Sequence, residues 1–254
     1  PVFPPNLHSF YNYFTRLQNF WPPWRPILFS LRARQRPRPL HKQGAAPLPE
    51  QPYQITRDKL PTPEEVSSLL KKCDRLAKLD LANGRKVWVT RHLLVHLACG
   101  SGLRASEIAL LREEDVPRRG QAALLMVRRG EGERHRTVQV GRRLAGHIAQ
   151  YRRIRRAAWG ELPHPQDLLL PGRGGLPYTT AALCFRFRKA VEAAHLKGPF
   201  SLRNARHFYA AYLLAKTADL RFVQRQMGHA NQNMTTLYFD VAPFIDPAAA
   251  GEAI

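Results

Sequence analysis

Cysteine is scarce, lysine is missing from a long central stretch, and acids are outnumbered: 254 residues carry three Cys and 19 Asp+Glu against 40 Lys+Arg. Cys73, Cys99 and Cys184 are odd in number, widely spaced and never form a CxxC pair. That pattern speaks against a disulfide framework and against a zinc site, and for a reducing, cytoplasmic setting. No apolar run is long enough to span a bilayer, and no basic amphipathic helix stands apart, so a membrane is not the expected partner. A secretory leader pattern is also missing, although "FWPPWRPILF" is locally apolar; the chain opens on Pro1, which reads as a fragment boundary. The shortage of acids leaves a formal net charge of +21. Such an excess makes a polyanion the default partner, because neutralising phosphates releases condensed counterions. The bases are mostly arginine, which favours bidentate phosphate contacts. Nucleic acid is the expected partner.

What is present divides into three parts. Residues 1–31 are rich in aromatics, and "LHSFYNYFTRLQNF" has helical spacing until Pro22, Pro23 and Pro26 stop it. Too short to bury those rings alone, this part reads as the end of a helical domain or a helix docked elsewhere. Residues 32–55 are basic and proline-rich, the composition of an extended linker. Residues 56–254 read as a compact domain, mainly α with a small antiparallel β-sheet. In "PTPEEVSSLLKKC", Thr62 is placed to cap a helix, Pro63 suits its first turn and Glu65 completes a capping box. Further helices are expected over 87–98, through "ASEIALLREED", and over 142–158, 179–195, 203–215, 219–227 and 232–239. Two strands, near 122–128 and 135–140, flank the turn "RRGEGER", and "DLLLP" reads as a third short strand.

Four stretches carry candidate chemistry. Arg104 follows a glycine turn in "CGSGLRASEI", at a helix start where the dipole favours an anion over a cation. Arg203 and Arg206 share a helix face in "SLRNARHFYAAYLL". His229 stands at a helix break in "MGHA", and Tyr238 follows nine residues later. Each has a plain structural counterpart: a surface charge, a turn cap, a core aromatic. Together they are more specific. "GSGLRASEIALLREEDV" and "LRNARHFYAAYLLAKTADLRFVQRQMGHANQNMTTLYF" resemble the two boxes of the tyrosine recombinase (phage integrase) family, in the right order over roughly residues 56–240. The resemblance implies the family's catalytic fold, preceded here by the truncated end of a helical DNA-clamp domain.

It also implies site-specific recombination or integration, serving a mobile element, a plasmid or a chromosome dimer. Tyr238 would be the nucleophile that forms a 3′-phosphotyrosyl link to double-stranded DNA. Arg104 and Arg206 would grip the phosphate, with His229 and Arg203 as further donors. No cofactor or metal is implied. Tails such as "FDVAPFIDPAAAGEAI" dock on a neighbouring protomer in the family, implying a tetramer on DNA; Val241, Phe244 and Ile245 suit a tail closing its own core equally well.

Two positions depart from the pattern. Arg203 stands where the family often has histidine, and arginine cannot act as a base near neutral pH. Glu131 stands where the hairpin turn usually carries a lysine that protonates the leaving 5′-oxygen. The alternative is therefore a catalytically weakened or inactive DNA-binding relative; a topoisomerase of the same chemistry is a third possibility, disfavoured by the second box.

Overall fold

The computed structural model describes residues 54–116, 123–128, 135–198 and 200–254. The aromatic start, nearly all of the basic linker and the hairpin turn with Glu131 lie outside the described residues.

Helix α1 (Pro63–Ala82) starts as its sequence demands. Thr62 Oγ1 accepts from the Glu65 N–H at 3.2 Å, and the Glu65 carboxylate accepts from the Thr62 N–H at 2.8 Å. Its apolar stripe of Val66, Leu69, Leu70, Cys73 and Ala77 is buried. Nearly all of the second half of α2 (Val87–Ser101) is buried, which makes it the central helix. It packs against α1, α4 (Arg142–Trp159), α5 (Thr180–Ala193) and α6 (Leu202–Thr217). Buried Asp80 sets the turn into α2, accepting from the Trp88 N–H at 2.8 Å and from Arg85 Nε at 2.9 Å.

The β-hairpin pairs β1 (Ala123–Val127) with β2 (Arg136–Val140) in antiparallel register, from Ala123 opposite Val140 to Val127 opposite Arg136. Leu125, Val127 and Val138 turn into the core. Beyond α6 the chain continues through α7 (Leu220–Met227), the short α8 (Asn233–Thr236) and α9 (Pro247–Ala253).

Three expectations need correction. Helix α3 covers only Ala105–Leu110, because Asp115 turns back to accept from the Arg112 N–H at 2.9 Å and ends the helical run. "DLLLP" forms no strand; it meets the chain at one isolated bridge, Arg112 with Leu168. The helix expected over 232–239 is one turn, since the residues around Tyr238 close as tight turns instead. In the tail, Val241 and Ile245 are buried while Phe244 is exposed, and α9 packs on α1 and α6 of its own chain. The tail thus closes its own core.

Candidate active site

Two glycines let three chain segments meet. Gly102 ends α2 at φ +63°, and a Cβ there would lie 2.5 Å from Tyr209 Cδ1 and 2.8 Å from Met227 Sδ. Gly228 ends α7 at φ +63°, and a Cβ there would lie 2.9 Å from the Arg136 guanidinium carbon. Any side chain would be strained in the backbone and would push the segments apart. The turn at Gly102 delivers Arg104 to the start of α3; the turn at Gly228 delivers His229.

Arg104 Nη2 donates to the Gly228 carbonyl at 3.1 Å. Arg206, on α6, donates through Nη1 to the Gly102 carbonyl and through Nη2 to the Met227 carbonyl, the latter at 2.6 Å. Its burial, and then the charge of Arg104, lower its pKa to about 10, so it remains a cation at neutral pH. Between these arginines sits one carboxylate that the sequence reading did not single out. Glu107 accepts from the Arg104 N–H at 2.8 Å and from Arg104 Nη1 at 3.2 Å, and lies 4.0 Å from Arg206 Nη1. A third guanidinium, Arg136 at the start of β2, holds it in a fork at 2.7 and 2.9 Å. Burial alone would raise the Glu107 pKa, but Arg136 above all, with Arg104 and Arg206, brings it below the usual carboxylate range. Buried Gln226 locks the β2 edge to α7: its side chain accepts from the Gln139 N–H at 2.9 Å and its carbonyl from Arg136 Nε at 3.1 Å.

The cluster holds three guanidiniums and one carboxylate, a surplus of two positive charges in a partly desolvated place. That is an anion-binding balance.

Tyr238 stands beside it, 2% exposed. Its hydroxyl is 2.8 Å from His207 Nδ1, and its ring stacks at 6.1 Å and 10° on His229. His229 is fixed through Nδ1 to Thr235 Oγ1 at 2.8 Å. Burial, followed by the charge of Arg206 and Arg104, lowers the His229 pKa to about 3. Burial, then Arg203 and Arg206, lowers His207 to about 4. Both rings are therefore neutral at pH 7, and each keeps a lone pair.

The structure thus brings Arg104, Arg206, His229 and Tyr238 together. Arg203 lies one turn back on α6, exposed, and acts on the cluster through its charge on His207. Sequence reasoning missed Glu107, Arg136 and His207 as members. Glu107 had a signal, an acid three residues into the helix after Arg104. His207 adjoins Arg206 in sequence. Arg136 had none, since its position depends on the hairpin folding against α7.

The chain matches the phage integrase family over residues 60–243. It is 30% identical over 200 residues to the putative integrase/recombinase y4qK of Sinorhizobium fredii, covering 77% of this chain and 56% of that protein. It is 33% identical over 152 residues to the tyrosine recombinase XerD of Pseudomonas putida, covering 59% and 48% respectively. The chain thus spans about half the length of these curated relatives. In fold it resembles the XerH site-specific recombinase solved on its palindromic difH substrate, with TM-score 0.61 and 24% identity over 74% of this chain and 52% of that one. Two boxes in order, their residues gathered at one site, and a match across most of the described domain agree: the chain belongs to the phage integrase family of tyrosine recombinases.

Proposed function

We propose that this chain is the catalytic part of a site-specific DNA recombinase that cuts and rejoins strands through a 3′-phosphotyrosyl intermediate. One observation carries the reading: a surplus of partly buried guanidinium charge lies beside a tyrosine hydroxyl whose hydrogen-bond partner is a neutral histidine. Arg104 and Arg206 bind the non-bridging oxygens of the scissile phosphate and stabilise the charge that grows in the pentavalent transition state. The Tyr238 oxygen attacks phosphorus as its proton passes to His207, and the bond to the 5′-oxygen breaks, that oxygen leaving as a hydroxyl with a proton taken from solvent. His207 holds the hydroxyl by its proton and orients the oxygen lone pair; His229 donates to the same phosphate. Because one phosphodiester is exchanged for another, the freed 5′-hydroxyl of a partner strand reverses the step without an energy source. Double-stranded DNA is the substrate, and a tetramer assembled on it in the cytoplasm is the working unit. The relatives' names fit a role in a mobile element or in chromosome maintenance.

A second reading, a weakened or inactive DNA-binding relative, rests on Glu131, which puts a carboxylate where the leaving oxygen needs a proton donor. One experiment addresses both. The chain is incubated with DNA nicked near the scissile phosphate, so that cleavage traps a covalent adduct. Wild type should form it and Tyr238→Phe should not, at nearly unchanged DNA affinity. An equal yield from Tyr238→Phe removes Tyr238 from its role. A wild type that reacts only when the 5′-bridging oxygen is replaced by sulfur, which leaves without a proton, supports the weakened relative.

A further inference from the structure

Away from the arginine cluster, three histidines converge where α2 packs on α4. His92 and His96 are one turn apart on α2, and His147 faces them from α4. Ring centroids are 4.7 Å apart for His92 and His96, 4.2 Å for His92 and His147, and 4.0 Å for His96 and His147. One nitrogen from each ring lies within 4.8 Å of the others. His92 Nε2, His96 Nδ1 and His147 Nε2 are buried with no hydrogen-bond partner. Ring stacking explains the packing but not the nitrogens. Leaving three polar atoms buried and unsatisfied in one spot is costly, and any apolar residue would fill the space without that penalty. A bound cation would satisfy all three at once.

The chemistry of the donor set narrows that cation. Three neutral imidazoles suit a borderline transition metal, and an i, i+4 pair on one helix with a third ligand opposite is a tetrahedral zinc geometry with one position open. Burial lowers the pKa values of His92, His96 and His147 to about 4, 2 and 3, with neighbouring histidines adding to it at His96 and His147, so all three hold free lone pairs at neutral pH. The cluster opens on a surface pocket lined by Ser67, Lys71, Asp74, Arg143 and Gln150, which gives an entry path. Lys71 and Arg143 oppose a dication there; Asp74 opposes them and is the acid nearest to hand, although it also pairs with Lys78 at 2.7 Å.

We propose that His92, His96 and His147 bind one zinc ion, with water or Asp74 in the fourth position, as a clasp between α2 and α4. The site is structural. Gly102 and Arg104 follow His96 by about two turns, past the end of α2, and none of the cluster around Tyr238 takes part. The cysteine spacing had argued against a zinc site altogether; that reading took no account of the histidines, and His-x-x-x-His in "RHLLVHLA" is the signal it left out.

The test uses the full chain without an affinity tag, stripped of metal and titrated with Zn2+ and with Co2+ as a spectroscopic probe. The expected result is one metal per chain, a visible Co2+ band of tetrahedral intensity, and a thermal midpoint that rises with the logarithm of free Zn2+. His96→Gln and His147→Gln should each abolish the band, whereas exposed His164→Gln and His195→Gln should keep it. Absence of the band in wild type, or its survival in the His96→Gln/His147→Gln double variant, overturns the proposal. X-ray absorption on the zinc-loaded wild type is independent of any variant's folding. Three imidazole nitrogens support the site, and fewer than three overturn it.

Discussion

Glu107→Gln tests the logic of the arginine cluster, because it keeps the shape of the side chain and removes only its charge. The carboxylate is 3% exposed and receives one backbone N–H and three guanidinium N–H groups within 3.2 Å. A glutamine has one acceptor oxygen and an NH2 that donates. Whichever way it turns, its NH2 faces groups that can only donate, because Arg104 and Arg136 each donate to both oxygens. Charged hydrogen bonds are worth about 1.5–3 kcal/mol each, and breaking a buried pair costs about 3–5 kcal/mol. Arg104 retains 28% exposure and Arg136 12%, so water recovers part of this. The expected loss is therefore about 2–4 kcal/mol, read as a lower urea midpoint at unchanged slope. The second effect has the opposite sign. Removing a negative charge beside the phosphate site should tighten DNA binding, while cleavage slows because Arg104 and Arg206 are no longer held in register. A variant as stable as wild type, or one that binds DNA more weakly while cleaving normally, would refute the account of Glu107 as the hub.

Arg104→Ala and Arg206→Ala should each slow adduct formation by about a hundredfold or more, the scale of losing one preorganised donor. Arg206→Ala should also lower the urea midpoint more, since it leaves the Gly102 and Met227 carbonyls without their donor. Gly102→Ala should destabilise by about 2–4 kcal/mol, from a left-handed alanine and the overlap with Tyr209 and Met227, and a thermal midpoint equal to wild type would contradict it. Acid should weaken the fold in two stages. The folded pKa values of His92 and His147 lie at about 4 and 3, below the ordinary 6.5, so the unfolded state takes up protons first and stability falls as pH drops below 6.5. Glu107, lowered from 4.5, adds a further loss as pH falls below that value. Urea midpoints in metal-free buffer that stay flat across this range would show that these groups are solvated.

The elements legible in the sequence are those whose signals are local. Thr62, Pro63 and Glu65 announce the start of α1 within four residues, and the capping box forms as read. The glycines at 102 and 228 end α2 and α7 in left-handed turns. The misreadings arise where a distant partner decides. "DLLLP" has a strand's composition, yet Leu169 is buried against the core while only Leu168 meets Arg112 across a bridge. The helix around Tyr238 stops after one turn because Thr235 is drawn to His229 and Tyr238 to His207. The same division holds at the site. Arg104, Arg206, His229 and Tyr238 could be named because they sit in two stretches that resemble the family's boxes, but Arg136 could not, because it reaches Glu107 across 29 residues through a hairpin.

That difference bears on how the tyrosine is controlled. Tyr238 is almost fully buried and its hydroxyl lies against His207, so the proposed function requires that the oxygen be released toward phosphorus when DNA is bound. The segment that carries it is closed by short turns and by the bonds of Thr235 to His229 and of Tyr238 to His207. Arg104 and Arg206 are fixed by backbone carbonyls at Gly102, Met227 and Gly228, on two glycine turns that tolerate no substitution. Under the proposed function, an anion cradle fixed by backbone carbonyls faces a nucleophile held at His207, so that phosphate docking comes first and attack second. Loosening the second without disturbing the first is the discriminating case. His207→Ala removes the hydroxyl's partner but none of the cradle, so DNA affinity should stay within a few-fold of wild type. Adduct formation should change with pH differently, because the neutral imidazole no longer orients the hydroxyl. If His207→Ala left both the rate and its pH profile unaltered, the bond to Tyr238 would be a packing contact, and the control of attack would lie elsewhere.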